Sequence, residues 1–263
     1  MVDKVIKVYK KAGITPLECI NNLKKEHENL RLLPMTYAGR LDPLAEGLLL
    51  ILVGDECLKK DEYLNLPKEY EVDVLFGFAT DTYDVMGKVI KWSSDERGGI
   101  QGQTILNSNY SYVFKIEEII SNFIGKIKQS YPPYSSRPVK GKPLFMWARE
   151  GKLDEIEIPT HDVFVDNIDI LEEREISGND LFKKIKEDIE KVSGDFRQKE
   201  ILALWETSLR DKYEEKYFVV RLRISCGSGV YVRVIADDIG KKLGVPALAL
   251  NIKRTKVGEY IID

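Results

Sequence analysis

Strand-forming patterns recur along the chain, with apolar, β-branched and aromatic residues in alternation or in short runs. They predict a short strand in VIKVYK near the N-terminus and a second strand from Tyr70 to Phe78. The segment GKVIKW lies across the turn ATDTYDVM from the second strand, which predicts a β-hairpin between the two. A further strand is expected in KYFVVRLRISC, ahead of a Gly-Ser-Gly turn.

Helical patterns separate these strands. Thr15 followed by Pro16 is typical of a helix N-terminus, with the threonine as N-cap and the proline in the first turn. Helices are also predicted in VFKIEEIISNFIG, twice within residues 178–209, and after the Gly-Ser-Gly turn, where Gly244 and Pro246 end the helix. Because strands and helices are mixed and hairpins are prominent, the pattern indicates an α+β fold.

Two segments lack regular periodicity and are predicted to be loops. Residues 95–111 are rich in Gly, Asn, Ser and Gln. Residues 128–152 contain several prolines interleaved with tyrosine, phenylalanine and tryptophan, and the slightly longer segment 124–152 has seven basic residues and one acidic residue. Such a loop is suited to gripping a phosphate backbone and stacking on bases, although a solvated surface loop would have the same composition.

Charge is distributed unevenly, although the net charge is only −3. Residues 154–190 contain thirteen acidic and four basic residues. Solvated helix faces explain this acidic stretch without any function. Nucleic-acid binding depends on where positive charge lies rather than on its total, so the basic segment keeps such a role open.

The composition is that of an ordinary globular protein and allows one large domain or two: 263 residues, 43% hydrophobic and 32% charged. The longest apolar run, Leu48 to Val53, is far shorter than the roughly 20 residues that span a bilayer. The N-terminal residues show no apolar region of a signal peptide. We therefore expect a cytoplasmic protein with no membrane association.

Metal and cofactor sites are not indicated. Cys19, Cys57 and Cys226 form no CxxC pair, and His27 and His161 are the only histidines, so neither disulfides nor a zinc site is expected. The sequence also contains no GxxxxGK[ST] loop, no GxGxxG after a strand and no GxSxG elbow. We expect no cofactor.

Asp42 stands between a leucine and a proline, immediately ahead of the apolar run. A turn or helix cap explains an Asp-Pro pair, but a carboxylate buried beside a core element needs a partner, because burying it unpaired costs several kcal/mol. Arg233, in GVYVR, is a candidate partner that would suit Asp42 to act as a nucleophile. Tyr70 is a candidate for holding a planar base by stacking.

Five motifs, in this order, resemble those of bacterial tRNA pseudouridine synthases of the TruB type and together span nearly the whole chain. They are GRLDPLAEGLLLILVGDECLK, KEYEVDVLFGFATDTYDVMGKV, PPYSSRPVKGKPLFMWAREG, SCGSGVYVRVIADDIGKKLG and LNIKRTKVGEY. The resemblance implies a pseudouridine-synthase fold of the α+β class. Its central sheet would be mixed and largely antiparallel, flanked by helices and loops, with an RNA-binding insertion.

The resemblance also implies that residues 1–263 form a single catalytic domain. This domain would contain a basic insertion at about 124–152 and an acidic helical insertion at about 175–210. Many relatives carry a C-terminal RNA-binding PUA domain, which we do not expect in this sequence. RNA contacts are then expected mainly from the basic insertion.

Position by position, the resemblance implies three catalytic residues. Asp42 matches the catalytic aspartate, Tyr70 the aromatic residue that stacks on the target base, and Arg233 the arginine that pairs with the catalytic carboxylate. Asp84 matches a second acid that shares this arginine.

Further substrate-binding residues follow from the same resemblance. Tyr231 and Ile252 match residues that line the base pocket, and Lys10 matches an N-terminal lysine. Tyr37 stands where many relatives have a histidine near the flipped RNA loop. The basic insertion adds Arg137, Lys140 and Lys142.

The implied activity is conversion of uridine to pseudouridine in the TΨC loop of tRNA, at uridine-55. The uridine is flipped out, the aspartate assists cleavage of the C1′–N1 bond, and the uracil turns over so that C5 bonds to the ribose. Whether the aspartate acts as nucleophile or base stays open. The expected partner is tRNA through its TΨC arm, with no protein partner and a monomeric enzyme. The alternatives are a ribosomal-RNA pseudouridine synthase, because GRLD also occurs in that class, and a non-catalytic tRNA-folding chaperone.

Overall fold

The structure is a computed structural model that describes residues 4–91 and 109–262. The strands are β1 (Val5–Lys10), β2 (Met35–Ala38), β3 (Glu46–Val53), β4 (Lys68–Phe76), β5 (Gly125–Ser130), β6 (Pro138–Val139), β7 (Lys142–Pro143), β8 (Thr160–Ser177), β9 (Lys216–Cys226), β10 (Ala247–Val257) and β11 (Tyr260–Ile261). The helices are α1 (Pro16–Glu26), α2 (Lys60–Asn65), α3 (Asn109–Ser121), α4 (Leu144–Arg149), α5 (Gly178–Glu190), α6 (Gln198–Leu209) and α7 (Val232–Leu243). The loop predicted at 95–111 lies outside the described residues, except that 109–111 begin α3.

One large sheet organises this part of the chain. Its strand order is β1-β3-β10-β4-β9-β8-β5, with β2 added to β3 and β11 added to β10. Strands β3 and β10 run parallel, and the other neighbouring pairs described in this sheet are antiparallel. The predicted α+β class with a mixed, largely antiparallel sheet is confirmed.

The continuous apolar run is strand β3, which is buried on both of its faces. Leu48, Leu50 and Leu52 pack into one hydrophobic cluster, whereas Leu49 and Ile51 pack into another. Because side chains alternate between the faces of a strand, covering both faces requires an unbroken apolar sequence. Burial on both sides fixes the position of β3, and with it the turn that precedes it.

Helices cover both faces of the central strands. α5 and α6 pack on one face with the apolar side chains Leu181, Ile185, Ile201 and Trp205. α7 and α3 pack on the other face. The two helices predicted within 178–209 are therefore confirmed and lie over the sheet, but residues 175–177, at the start of the proposed acidic helical insertion, belong to strand β8.

The predicted hairpin between GKVIKW and the strand at Tyr70 is wrong. Strand β4 already pairs with β10 on one edge and with β9 on the other, so neither edge is free. Instead, the segment folds back on the turn before it: Thr80 and Val89 form an isolated bridge, and Asp81 N donates to the Lys88 carbonyl at 3.1 Å.

The prediction of an irregular loop over residues 128–152 is also wrong. The segment contains the end of β5, which pairs with β8, then the small β6–β7 hairpin and the short helix α4. Lys140 and Gly141 both adopt positive φ, 48° and 79°, as a tight two-residue hairpin turn requires. The prolines that break long periodicity concealed these short elements.

The predicted helix ends are confirmed at atomic detail. Thr15 Oγ1 accepts from the Glu18 backbone N–H at 3.1 Å, and Glu18 Oε2 accepts from the Thr15 N–H at 2.6 Å, which completes a capping box. Helix α7 ends at Gly244, whose φ of 75° is left-handed. Among the helices of residues 4–91 and 109–262, none has the length and apolar character to cross a membrane.

Candidate active site

A cavity of about 640 Å³ opens where the turn before β3 meets β4, β10 and the start of α7. Its lining draws on stretches that are far apart in sequence. Six of the predicted site residues line it together: Asp42, Tyr70, Asp84, Tyr231, Arg233 and Ile252.

Asp42 and Arg233 form a two-point ion pair at this cavity. Arg233 Nε donates to Asp42 Oδ2 at 2.8 Å, and Arg233 Nη2 donates to Oδ1 at 3.3 Å. The arginine side chain is only 4% exposed, whereas that of Asp42 is 40% exposed. Asp42 also closes its turn, since its carbonyl accepts from the Ala45 N–H at 3.1 Å. The carboxylate thus faces the cavity while its counter-charge lies behind it.

Arg233 is held by two further segments. Its Nη1 donates to the Thr82 carbonyl at 2.6 Å, and its Nη2 donates to the Tyr134 carbonyl at 3.4 Å. Burial alone would lower the pKa of Arg233, but the nearby carboxylates of Asp42 and Asp84 raise it above its ordinary value. The guanidinium is therefore a permanently charged, fixed donor.

Asp84 is a second, buried carboxyl group on the same arginine. Its Oδ2 lies 3.6 Å from Arg233 Nε, and its Oδ1 accepts from Thr82 Oγ1 at 2.5 Å and from the Met86 N–H at 3.0 Å. Burial raises the pKa of Asp84 to about 6, although Arg233 opposes the change. Its charge therefore changes close to neutral pH.

Aromatic and apolar side chains form other parts of the wall. Tyr70 is placed by β4, where it pairs with Arg254 on one side and Ile224 on the other. Burial raises the pKa of Tyr70, so the phenol stays neutral. Tyr231 is fixed by Gln129, whose Oε1 accepts from the Tyr231 N–H at 2.8 Å and whose Nε2 donates to its carbonyl at 3.2 Å.

Lys10, which was expected to bind substrate, lies under the Asp42 turn and is not among the residues that line the cavity. Its side chain is fully buried, and Nζ donates to the carbonyls of Pro43 at 3.1 Å and Ala45 at 2.5 Å. Burial lowers the pKa of this amine to about 8. Lys10 therefore ties β1 to the turn that carries the carboxylate.

Tyr37 is not brought to the cavity either. It lies on β2 and packs against the cluster that contains Ile51, with the Lys60 ammonium 5.4 Å from its ring centre.

The three predicted basic residues of the insertion also lie outside the cavity lining. Arg137 stacks over Tyr131, with its guanidinium carbon 5.0 Å from the ring centre. Lys140 Nζ donates to the Glu155 carbonyl at 3.1 Å. Lys142 pairs with Glu150 at 2.7 Å. They remain candidates for contacts with RNA beyond the cavity.

The structure adds two buried cations that the sequence reasoning missed. Arg254 Nε donates to the Leu48 carbonyl at 2.8 Å, and its Nη2 donates to the Gly39 carbonyl at 3.2 Å. Lys68 lines the cavity, and burial lowers the pKa of its amine to about 8. The Arg254 side chain packs closely under Gly39, where an added Cβ would lie 3.2 Å from Arg254 Nη1.

The loop between α5 and α6 was also missed as part of the site. Asp195, Phe196 and Arg197 line the cavity beside Arg149 from α4. Arg149 Nη2 donates to the Asp195 carbonyl at 2.7 Å, which joins α4 to the α5–α6 loop at the cavity wall. No local pattern distinguishes these residues from an ordinary polar connection between helices.

The arrangement is suited to chemistry by a carboxylate. In the part of the chain that the structure describes, no group of three or more His, Cys, Asp or Glu side chains is arranged to hold a metal ion. A half-exposed carboxylate beside a neutral tyrosine can act as a nucleophile or as a base on a planar group held against the ring.

Comparison with protein families gives one clear match. Residues 28–180, more than half of the chain, match the model described as TruB family pseudouridylate synthase (N terminal domain). A relative from Aquifex aeolicus named tRNA pseudouridine synthase B is 29% identical over 262 residues, covering 100% of this chain and 71% of the relative. A relative of the same name from Ligilactobacillus salivarius is 30% identical over 261 residues, covering 99% of this chain and 69% of its own length.

Solved structures support the fold. A chain in the crystal structure of a Cbf5-Nop10-Gar1 complex superposes with a TM-score of 0.55 at 19% identity. A chain in the structure of an H/ACA RNP bound to a substrate RNA containing 2′-deoxyuridine superposes with a TM-score of 0.51 at 18% identity. Both alignments cover 98% of this chain but only about half of the solved chains.

Proposed function

Because the chain belongs to the TruB family of pseudouridylate synthases, we propose that it converts uridine-55 in the TΨC loop of tRNA to pseudouridine. Conversion of uridine to pseudouridine in tRNA is the activity that its relatives' names describe. The observation that carries the proposal is the Asp42 carboxylate, which faces the cavity while Arg233 binds it from the buried side.

The target uridine enters the cavity as a flipped nucleotide. Flipping costs a few kcal/mol of lost stacking, and stacking on an aromatic side chain returns about 1–3 kcal/mol per base. Tyr70 supplies that face, with Ile252 and Tyr231 as further wall residues. These side chains hold the uracil while it is not covalently attached.

Asp42 then assists cleavage of the C1′–N1 bond, as a nucleophile or as a base. The uracil turns within the cavity and bonds to C1′ through C5. C5 loses its proton and N1 gains one, so the reaction is an isomerisation without net gain or loss of atoms. Arg233 holds the carboxylate in one orientation through two hydrogen bonds, which favours a single productive geometry.

We propose that the basic segment of residues 124–152 binds the RNA around the flipped nucleotide. It borders the cavity through Tyr134, Ser135, Phe145 and Arg149, while Arg137 and Lys140 lie farther out with exposed side chains. We propose that these basic residues contact phosphates of the TΨC arm. The enzyme would act as a monomer on tRNA, without a protein partner.

Substrate choice is tested with defined transcripts. The protein is incubated separately with an unmodified tRNA transcript, the same transcript with cytidine at position 55, and ribosomal-RNA fragments, and pseudouridine is then mapped. The proposal predicts product at position 55 of the first transcript alone. Product confined to ribosomal RNA would favour the other enzymatic reading, and tRNA refolding without product in any transcript would favour a chaperone.

A further inference from the structure

The turn of residues 80–88, here called the partner turn, carries two of the groups that hold Arg233. The Thr82 carbonyl accepts from Arg233 at 2.6 Å, and the Asp84 carboxyl group lies 3.6 Å from it. The position of Arg233, and through it the position of Asp42, therefore depends on what holds the partner turn. Nothing in the sequence patterns identifies that support.

Helix α6 and the residue before it hold the partner turn at three points. Arg197 Nη1 donates to Asp81 Oδ2 at 2.8 Å, and Nη2 donates to Oδ1 at 3.4 Å. One turn along the helix, Glu200 forms an ion pair with Lys88 at 2.6 Å. Farther along, the buried Trp205 Nε1 donates to the carbonyl of Val85 at 3.1 Å.

Arg197 also contacts the second segment that holds Arg233. Its guanidinium carbon lies 4.5 Å from the centre of the Tyr134 ring, and the Tyr134 carbonyl accepts from Arg233 Nη2 at 3.4 Å. Burial and the nearby Asp81 carboxylate raise the pKa of Tyr134 to about 12, so this ring stays neutral under the cation. One side chain thus touches both segments whose carbonyls hold Arg233.

The chain before α6 is built to present this side chain. Arg197 adopts φ 65° and ψ 21°, a left-handed conformation that residues other than glycine rarely adopt. Gln198 Nε2 donates to the Val192 and Gly194 carbonyls at 3.0 and 2.7 Å, and its Oε1 accepts from the Phe196 N–H at 2.9 Å. A backbone outlier fixed by several hydrogen bonds at a cavity wall points to a functional constraint.

We infer that Arg197 is a positioning residue for catalysis, which keeps Arg233 aligned with Asp42 through Asp81 and Tyr134. The inference rests on the proposed function. It assigns the α5–α6 unit a role beyond covering the sheet: its connecting loop and α6 clamp the partner turn against the catalytic pair. Both terminal nitrogens of Arg197 already bind Asp81, and the side chain is only 18% exposed. Its effect is therefore on the chemical step rather than on RNA affinity.

The test separates the chemical step from binding. Arg197→Ala, Arg197→Lys and Asp81→Asn are compared with the wild type and with Arg210→Ala, which removes an exposed arginine just past the other end of α6. For each protein, the single-turnover rate of pseudouridine formation at saturating enzyme, the Kd for unmodified tRNA and the Tm are measured. The double variant Arg197→Ala/Asp81→Asn completes a double-mutant cycle.

The inference predicts that Arg197→Ala lowers the saturating rate by about tenfold or more, since small displacements of catalytic groups have effects of that order. The Kd should stay within about twofold of the wild type, and Arg197→Lys should recover part of the rate because it keeps a charge for Asp81. The double variant should be no slower than Arg197→Ala, because both substitutions break the same contact. Arg210→Ala should match the wild type.

A saturating rate equal to that of Arg210→Ala would overturn the inference, and so would a weaker Kd with an unchanged rate, which would make Arg197 an RNA ligand. If Arg197→Ala does not fold, the rates of Arg197→Lys and Asp81→Asn decide by the same criteria. A wild type that forms no pseudouridine in tRNA would remove the proposed function and this inference together. If the wild type is active and Arg197→Ala has the same rate, the inference about Arg197 fails but the proposed function stands.

Discussion

Arg233 meets Asp42 across 191 positions of sequence and holds it from the buried side of the cavity, with Nε 2.8 Å from Oδ2. Asp84 lies on the same guanidinium at 3.6 Å. A single buried cation thus orients one partly exposed carboxylate and balances a second that is more deeply buried in the cavity wall. The ion pair links the start of α7 to the turn before β3, so the geometry of the site depends on the packing of both elements.

Replacing Arg233 with methionine should remove most of the activity. The change frees Asp42 and leaves Asp84 buried without its counter-charge. Breaking a buried pair in this way costs about 3–5 kcal/mol of stability. We expect a single-turnover rate at least about a hundredfold lower and a lower free energy of unfolding, measured by denaturant titration. Wild-type turnover in a folded Arg233→Met protein would contradict the role of the pair.

Asp84 should make stability depend on pH in a defined direction. Its pKa in the folded protein is about 6, above the value of about 3.9 for an unfolded aspartate. Ionisation is therefore harder in the folded state. At about 1.4 kcal/mol per pKa unit, stability should fall by up to about 3 kcal/mol as the pH rises from about 4 through 6.

Asp84→Asn isolates that contribution from other titrating groups. The free energies of unfolding of the wild type and of Asp84→Asn are measured between pH 4 and pH 8. The wild type should lose stability relative to Asp84→Asn as the pH rises through about 6, because only the wild type must ionise this buried group. If the difference between the two free energies of unfolding does not change with pH, Asp84 does not titrate in this range.

Lys10→Met should slow the reaction without weakening RNA binding. The substitution removes the hydrogen bonds to the Pro43 and Ala45 carbonyls and releases the turn of Asp42. We expect a single-turnover rate at least about tenfold lower, with the Kd for tRNA and its salt dependence unchanged. Weaker tRNA binding with a normal rate would instead show that Lys10 contributes to RNA binding.

Lys140→Ala combined with Lys142→Ala should weaken tRNA binding and flatten its salt dependence. Each lost phosphate contact lowers the slope of log Kd against log salt by somewhat less than one. Lys142 is already paired with Glu150, so its share should be smaller than that of the more exposed Lys140. Lys183→Ala, which removes an exposed lysine on α5, is the control. An unaltered slope in the double variant would exclude this hairpin from the interface.

Local sequence signals predicted much of the scaffold. The N-cap at Thr15 and the end of α7 at Gly244 each depend on neighbouring residues, so they can be predicted from short windows. The hairpin predicted for GKVIKW failed because strand pairing is a long-range choice: β9 and β10 occupy both edges of β4.

In the candidate site, too, residues within recognisable motifs were predicted, whereas residues defined by contacts distant in sequence were missed. Family motifs pointed to Asp42, Tyr70 and Arg233, and the structure places these three around one cavity. Arg197 and Arg254 were missed because their contacts reach Asp81 and Gly39, 116 and 215 positions away. The resemblance implied that Lys10 binds substrate, whereas the structure buries its side chain beneath the Asp42 turn.

The role of the Asp42 carboxylate is tested most directly by the product that Asp42→Asn forms on unmodified tRNA. This substitution preserves shape and removes the charge that the cavity presents. Wild-type protein should form pseudouridine at position 55. The variant should bind the same tRNA with a Kd within about twofold and form none in single-turnover conditions. Pseudouridine formation by Asp42→Asn at the wild-type rate would show that this carboxylate does not perform the reaction.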